Sequence, residues 1–178
     1  MNKFYRNKKI LITGHTGFKG SWLSCILNHF DAKVFGVSDG KVKSLLYKKK
    51  IIKYEAQYFF DLKNIAKTRE LICELKPDII FHLAAQSLVF KSYLNPLKTW
   101  ESNLSASLNI LEACQQTKKK LSLIMITSDK CYKNKELERG YNEEDELGGK
   151  DPYSASKAAT EIMIRSYYLS FLKKNKKI

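Results

Sequence analysis

The stretch KILITGHTGFKGSWL, residues 9–23, joins a short apolar run to an amphipathic one through a glycine-rich turn. The apolar run Lys9–Thr13 predicts a β-strand, and the spacing of apolar residues over Phe18–Phe30 predicts a helix. The turn between them has the spacing GxxGxxG, contributed by Gly14, Gly17 and Gly20. Glycines also punctuate ordinary turns, but this spacing between a strand and a helix is typical of a loop that binds a dinucleotide pyrophosphate.

Each glycine of this turn has its own expected role. Gly14 permits the tight turn, Gly17 lets the backbone approach a pyrophosphate, and Gly20 lets the helix pack close to the sheet. The N-terminus of the helix offers free N–H groups and the positive end of the helix dipole to the anion. Asp39 follows 19 residues after Gly20. A carboxylate there accepts hydrogen bonds from the adenosine ribose, which favours NAD.

The residues near Asp39 leave the choice of cofactor open at this stage. Lys41 and Lys43 could bind the 2′-phosphate of NADP. Asp39 could equally be a solvated acid in a loop, with no role in cofactor binding. The preference for NAD therefore depends on a single carboxylate.

The rest of the chain alternates strands with helices. Further strands are predicted at residues 33–37, 56–60, 78–83 and 121–127. Helices are predicted at 62–75, at 95–117 with Pro96 in its first turn, from Asp151-Pro152 onward, and in the Lys-rich stretch before the third strand. This alternation predicts an α/β fold, a Rossmann-type doubly wound parallel sheet of about five strands with helices on both faces.

Bulk composition excludes several classes of protein. The 178 residues fit one α/β domain, a hydrophobic content of 44% argues against disorder, and no apolar stretch is long enough for a membrane span. The four cysteines are scattered without metal-ligand spacing, which indicates a reducing cytoplasm and no metal site. The net charge of +14 comes almost entirely from Lys, in runs at 48–50, 118–120 and from Lys173, so a solvated surface is favoured over nucleic-acid binding.

A second cluster of reactive residues lies in the C-terminal third of the chain. Ser128, Asp129 and Lys130 follow the fifth predicted strand, and Tyr153 and Lys157 lie four residues apart on the last helix. Residues four apart share a helix face, so the Lys ammonium can stabilise the Tyr phenolate and make it a usable acid or base. The same Lys can hydrogen-bond a nicotinamide ribose.

Four motifs in order along the chain carry a resemblance to a known family: GHTGFKGSWL (14–23), HLAAQSLV (82–89), TSDKCY (127–132) and GGKDPYSASK (148–157). The chain resembles the extended short-chain dehydrogenase/reductases, and within them the nucleotide-sugar dehydratases of the CDP-glucose 4,6-dehydratase type. The resemblance implies tightly held NAD, oxidation at the sugar C4, loss of water across C5 and C6, and hydride return to C6. The implied product is CDP-4-keto-6-deoxyglucose, a deoxysugar precursor for surface polysaccharides.

The same resemblance implies a role for each catalytic candidate. Tyr153, assisted by Lys157, deprotonates the C4 hydroxyl, Ser128 hydrogen-bonds the C4 oxygen, and Asp129 protonates the departing C6 hydroxyl. Lys130 stands where most relatives carry the Glu that removes the C5 proton. A neutral Lys130 amine could be that base if burial or a neighbouring cation such as Lys157 removes its charge, and a charged one could stabilise an enolate.

The resemblance also implies contacts with cofactor and substrate. Cofactor contacts are expected, beyond the three glycines, from Thr16, Phe18, Lys19, Asp39, Asp61, Leu62, Leu83, Ala84, Ala85, Tyr153 and Lys157. Gln86, Ser87 and Ser128 are expected to contact the substrate. His82 is interpreted as a polar residue at a strand end, and Gly148 and Gly149 as residues that shape the loop before Tyr153.

The resemblance stops where the chain stops. Residues 1–178 correspond to an NAD-binding domain that ends before a sixth strand and a C-terminal substrate domain. If residue 178 is the true terminus, we expect the fifth strand to be an exposed edge. We also expect the isolated chain to bind NAD weakly and turn over slowly or not at all. Two alternatives stay open: another epimerase or dehydratase of the same family, and a non-catalytic NAD-binding fragment. A homodimer through the helices that start at Asn95 and Pro152 is expected if the protein is full length.

Overall fold

The computed structural model describes residues 2–117 and 119–173. The predictions made for Lys118 and for the lysine-rich tail after Lys173 lie outside the described residues. Within these ranges, no helix is long and apolar enough to cross a membrane.

The predicted sheet is confirmed. It has five parallel strands in the order β3-β2-β1-β4-β5. The strands are β1 (Lys9–Thr13), β2 (Lys33–Ser38), β3 (Ala56–Phe59), β4 (Ile79–His82) and β5 (Ser122–Met125). In the described part of the chain, β5 pairs only with β4, so it forms the predicted edge. The order places β1 at the centre, where the direction in which successive strands are added to the sheet reverses.

The helices are α1 (Asn2–Tyr5), α2 (Phe18–His29), α3 (Leu45–Lys48), α4 (Ile65–Leu75), α5 (Val89–Leu94), α6 (Pro96–Trp100), α7 (Ala106–Gln115) and α8 (Pro152–Tyr167). Two π-helical turns, Glu101–Ser105 and Tyr168–Leu172, follow α6 and α8, and a 3₁₀ turn covers Asp129–Cys131. The sequence did not predict α1 and α5.

The helix predicted in the Lys-rich stretch before the third strand is confirmed as the single turn α3. Two other predicted helices need correction. The helix expected from residue 62 begins at Ile65, because Asn64 caps it by accepting from the N–H of Lys67 at 3.1 Å. The helix predicted as continuous over 95–117 is interrupted by the π turn Glu101–Ser105, which turns the side chain of Asn103 inward.

The core lies on both faces of the sheet because side chains alternate along each strand. Ile10 and Ile12 of β1 pack on one face with residues that include Leu27 of α2. Leu11 packs on the other face with residues that include Ile110 of α7. The side chains of Ile10, Leu11 and Ile12 are fully buried, as expected for the central strand of a doubly wound sheet.

The glycine loop packs against its own helix. Gly14 has a φ of +70°, and a Cβ there would lie 3.0 Å from the backbone of Ala84. A Cβ on Gly20 would lie 2.3 Å from the carbonyl oxygen of Gly14. The predicted reason for Gly20 is therefore corrected: it lets the first turn of α2 close onto the loop, rather than onto the sheet.

We predict that Gly20→Ala lowers the free energy of unfolding by ~1–3 kcal/mol, because the loop backbone must move to admit the methyl group. Gly140→Ala is the matched control, since a Cβ there meets no atom within 4 Å. We expect the control to change stability by less than about 0.5 kcal/mol. Urea denaturation of the two variants measures both values, and equal stability would contradict the packing of α2 on its loop.

Candidate active site

Three loops meet at the carboxyl edge of the sheet. The glycine loop follows β1, residues 83–87 follow β4, and residues 126–132 follow β5. The register pairs Thr13 with His82 and His82 with Met125, so the three strands end side by side. Ligands of open parallel sheets bind at this edge, where the strand order reverses.

The first turn of α2 fits a pyrophosphate. Gly17 is the N-cap residue, and no side chain caps the helix, so its first N–H groups remain free for an anion. Thr16 is buried and its hydroxyl donates to Ser38 at 3.2 Å, which fixes the loop. Phe18 and Lys19 are exposed beside it.

The predicted adenosine end lies beyond β2 and β3. Asp39 accepts from the N–H of Lys41 at 3.1 Å, and Asp61 accepts from the N–H of Lys63 at 3.0 Å. The ammonium of Lys63 also reaches Glu101 at 2.6 Å. These groups are exposed, so their ion pairs are weak and do not prevent a ligand from competing for either carboxylate. A groove of about 460 Å³ lies beside Asp61, Lys63, Pro96 and Glu101.

His82 lies at the centre of a buried hydrogen-bond chain. The hydroxyl oxygen of Thr13 accepts from the N–H groups of Leu83 and Ala84, both at 3.0 Å, so its hydrogen is donated to Nδ1 of His82 at 2.8 Å. Nε2 of His82 then carries the proton and donates to Ser107 at 3.0 Å. Burial and the nearby Lys157 charge lower the pKa of His82 to about 3. His82 is therefore a neutral polar residue at the end of β4, as the sequence indicates.

Asn103, which the sequence analysis missed, continues this chain into the neighbouring loop and helix. Its carbonyl oxygen accepts from the hydroxyl of Ser107 at 2.6 Å. Its side chain accepts from the N–H of Gln86 at 2.8 Å and donates to the carbonyl of Gln86 at 3.1 Å and to Ser156 at 2.9 Å. The sequence signal for Asn103 was only a polar residue within the helix predicted at 95–117.

The predicted substrate residues after β4 lie in this loop. The side-chain amide of Gln86 donates to Leu88 at 3.0 Å and to Thr99 at 3.1 Å, and its oxygen accepts from the N–H of Leu88 at 2.7 Å. Ser87 is exposed. Gln86 thus shapes the loop that presents Ser87, and both stay predicted substrate contacts.

Helix α8 brings Tyr153 and Lys157 to the site. Asp151 caps the helix by accepting from the N–H of Ser154 at 3.0 Å. A Cβ on Gly149 would lie 2.4 Å from Ser154, so this glycine lets the preceding loop close onto the helix. Tyr153 and Lys157 are both buried.

The ammonium of Lys157 meets the segment that follows β5. It donates to the carbonyl of Ile126 at 3.3 Å. Burial first, and then the charge of Lys19, lower the pKa of Lys157 to about 8, while Glu161 acts in the opposite direction. Lys157 is thus a cation that loses its proton more readily than a solvent-exposed lysine does.

Ser128, Asp129 and Lys130 form a tight turn at the end of this segment. The Ser128 hydroxyl accepts from the N–H of Lys130 at 3.2 Å and donates to the Asp129 carboxylate at 3.1 Å. Asp129 and Lys130 are exposed, so the burial that would favour a neutral Lys130 amine is not supplied by the described residues. The structure therefore brings the predicted catalytic residues to one edge, with Asp39 and Asp61 at the opposite, adenosine end.

A glycine loop on a free helix N-terminus and a Tyr–Lys helix beside β5 define a dinucleotide-binding domain of the short-chain dehydrogenase/reductase class. The chain belongs to the GDP-mannose 4,6 dehydratase family, whose model matches residues 11–172.

Individual relatives agree with this assignment. The chain is 39% identical over 170 residues to CDP-glucose 4,6-dehydratase of Salmonella typhimurium, covering 94% of this chain and 47% of that protein. It is 32% identical to dTDP-D-glucose 4,6-dehydratase of Dictyostelium discoideum, covering 92% and 41%. The chain thus spans about half the length of these relatives.

A solved structure shows the same fold with a cofactor. UDP-glucose 4-epimerase of Thermus thermophilus, in complex with NAD, superposes with a TM-score of 0.78 at 29% identity, covering 91% of this chain and 51% of the epimerase. The prediction of NAD as the cofactor is confirmed at the level of this family.

We predict that His82 is a neutral imidazole with its proton on Nε2, and that it stays so down to about pH 4, because its pKa lies near 3. Nitrogen NMR of the labelled chain reports the tautomer, and the signals are assigned by their loss in His82→Asn. A proton on Nδ1, or titration above pH 6, would contradict the direction of the hydrogen-bond chain.

The same side chain links stability to pH. Between about pH 6.5 and the pKa of about 3, the unfolded chain binds a proton that folded His82 does not. Stability from this group is therefore lost as pH falls, at up to about 1.4 kcal/mol per pH unit. The exposed His29 supplies the control variant His29→Gln. We expect a flatter acid slope for His82→Gln than for this control in urea titrations.

Proposed function

We propose that this chain carries the cofactor-binding and acid–base portion of an NAD-dependent nucleotide-sugar 4,6-dehydratase, with CDP-glucose as the substrate. The observation that supports the proposal is the turn Ser128–Lys130 after β5, which packs against α8, the helix that carries Tyr153 and Lys157. An acid next to a base at this place suits an elimination. The similarity to the Salmonella CDP-glucose enzyme supports the choice of nucleotide.

In this proposal each residue handles one proton or one oxygen. Tyr153 takes the proton of the C4 hydroxyl, and Ser128 donates a hydrogen bond to the same oxygen. Asp129 gives a proton to the C6 hydroxyl, which leaves as water after the C5 proton is removed. Bound NAD would accept the hydride from C4 and return it to C6. Lys157 stabilises the Tyr153 phenolate and binds the cofactor ribose.

Lys130 has two possible tasks in the elimination. A neutral amine removes the C5 proton, whereas an ammonium stabilises the enolate oxygen that forms when this proton leaves. Lys130 is exposed in the described structure, so a role as a neutral base would require substrate or a further region to cover it.

The cofactor-binding residues follow from the fit of the site. The glycine loop with Thr16, Phe18 and Lys19 would hold the pyrophosphate, Asp39 the adenosine ribose, and Asp61 with Leu62 the adenine. Leu83, Ala84 and Ala85 would line the cofactor path along β4. Ala84 already lies 3.0 Å from the position of a Gly14 Cβ, so backbone there is close to the turn.

The nearest rival is a C4 epimerase on the same scaffold, which the Thermus structure represents. Epimerisation at C4 needs no acid to expel the C6 hydroxyl, so the pair Asp129–Lys130 favours the dehydratase. A non-catalytic NAD-binding fragment is the third possibility. Because the relatives are about twice as long, we propose that activity requires a region equivalent to their remaining half. A cytoplasmic homodimer through α6–α7 and α8 belongs to the same proposal.

We predict dehydratase activity once that region is supplied. The chain is fused to, or co-expressed with, the part of the Salmonella relative that it does not match. With CDP-glucose and NAD, a 4-keto-6-deoxy product should form, detected by its absorbance in alkali. Tyr153→Phe should lower kcat by about 10²–10⁴-fold, with NAD binding retained. Tyr168→Phe, at an exposed tyrosine in the π turn that follows α8, is the control.

Two outcomes would contradict the dehydratase. One is a product with inverted C4 and an intact C6 hydroxyl, which identifies an epimerase. The other is a Tyr153→Phe variant with unchanged turnover, which removes this residue from the chemistry.

We also predict that the chain binds NAD more tightly than NADP, because Asp39 accepts from a ribose hydroxyl and repels a 2′-phosphate. Asp39→Ala should reduce the preference by about tenfold. Calorimetric titration of both cofactors measures it, with Glu70→Ala, an exposed carboxylate on α4, as the control. Tighter binding of NADP by the unaltered chain would overturn the role of Asp39.

A further inference from the structure

Glu161 extends the reactive face of α8 by one turn. Tyr153, Lys157 and Glu161 are spaced by four residues, so they lie along one side of the helix. Glu161 is half-buried, and its carboxylate accepts a hydrogen bond from the hydroxyl of Thr127. The proposed reaction gives this carboxylate no task.

Thr127, the hydrogen-bond partner of Glu161, lies just before the turn that carries Ser128 and Asp129. Thr127 lies between Ile126, whose carbonyl accepts from Lys157 at 3.3 Å, and Ser128, which begins the turn with Asp129. The face of α8 thus holds Ile126 and Thr127, the two residues that precede Ser128 and the proposed acid Asp129. The N–H of Ile126 also donates to the carbonyl of His82 at 3.1 Å, which ties the segment to β4 on its other side.

The charges around Lys157 give Glu161 a second effect. Lys19 from the glycine loop and His82 from β4 face this ammonium, together with Glu161 on its own helix. His82 is neutral, and burial and Lys19 lower the pKa of Lys157 to about 8, whereas Glu161 raises it. The carboxylate therefore opposes the loss of the Lys157 proton.

We infer that Glu161 is a positioning residue of the active site: through the Thr127 hydroxyl it fixes Ser128 and Asp129 relative to Tyr153 and Lys157. The inference rests on the proposed function for its catalytic meaning. The anchoring of the segment by itself can be measured on the chain alone.

The chain contains a matched control for this contact. Glu112 of α7 accepts from the hydroxyl of Tyr167 of α8 at 2.5 Å, so this is also a carboxylate–hydroxyl pair that involves α8. It lies at the far end of that helix, away from the turn at Ser128. Thr127→Val removes the hydroxyl with little change in shape, and Thr127→Ser keeps it.

The first measurement is hydrogen–deuterium exchange of residues 126–132 in the chain itself. We expect Thr127→Val and Glu161→Gln to speed exchange in this segment by about tenfold, and Thr127→Ser to restore the original rate. Glu112→Gln should leave the segment unchanged. Equal exchange in Thr127→Val and Thr127→Ser would overturn the anchoring.

The second measurement is the pH profile of turnover in the fused enzyme. Glu161→Gln should lower kcat by about tenfold with little change in KM, and should move the alkaline limit down by about one pH unit, because Lys157 loses its favourable neighbour. Glu112→Gln should move neither. An unchanged profile in Glu161→Gln would overturn the inference.

The two proposals fail in distinguishable ways. If Tyr153→Phe abolishes turnover while the Thr127 and Glu161 variants behave as the unaltered enzyme, only the role of Glu161 is lost. If no dehydratase product forms but exchange in residues 126–132 responds as expected, the anchoring stands and the proposed reaction is lost.

Discussion

The buried hydroxyl of Thr13 is the contact on which the arrangement of the site depends. It accepts two backbone N–H groups from the loop after β4 and donates to His82. Because the Thr13 oxygen already accepts two hydrogen bonds, its own hydrogen must be donated to His82. This donation sets which group is donor and which is acceptor in every later bond of the network. His82 therefore donates to the hydroxyl of Ser107, and Ser107 donates to the carbonyl of Asn103. A buried network of this kind is specific because each group has one allowed role.

This network connects the glycine loop to the helix that carries Tyr153 and Lys157. Thr13 directly precedes the glycine loop, whereas Asn103 binds Ser156, three residues after Tyr153. Asn103 lies in the π turn Glu101–Ser105, where its side chain contacts Gln86 and Ser156 and its carbonyl accepts from the hydroxyl of Ser107. The irregular turn therefore links the phosphate end of the site to the Tyr–Lys end.

The sequence predicted the features that depend on residues close together in the chain. It missed the contacts between residues that only the fold brings together. The strand at Lys9–Thr13 and the glycine spacing are local patterns, and Tyr153 with Lys157 are neighbours on one helix, so the sheet and the main motifs were predictable. Asn103 and Glu161 were not found, because their partners Gln86 and Thr127 lie 17 and 34 residues away along the chain. The reason given for Gly20 was wrong for a related cause: its constraint comes from Gly14, and depends on how the loop closes in three dimensions.

The electrostatics of the site follow from the same packing. Lys157 is buried where its ammonium donates to the carbonyl of Ile126. Burial and the charge of Lys19 lower its pKa to about 8. An anion at the N-terminus of α2 would offset the repulsion from Lys19, since opposite charge nearby favours the protonated amine. Glu161 provides part of the same compensation from within the helix. A fixed carboxylate and a bound anion would both favour the protonated form of the buried Lys157, so anion binding at the N-terminus of α2 would be linked to the protonation state of Lys157.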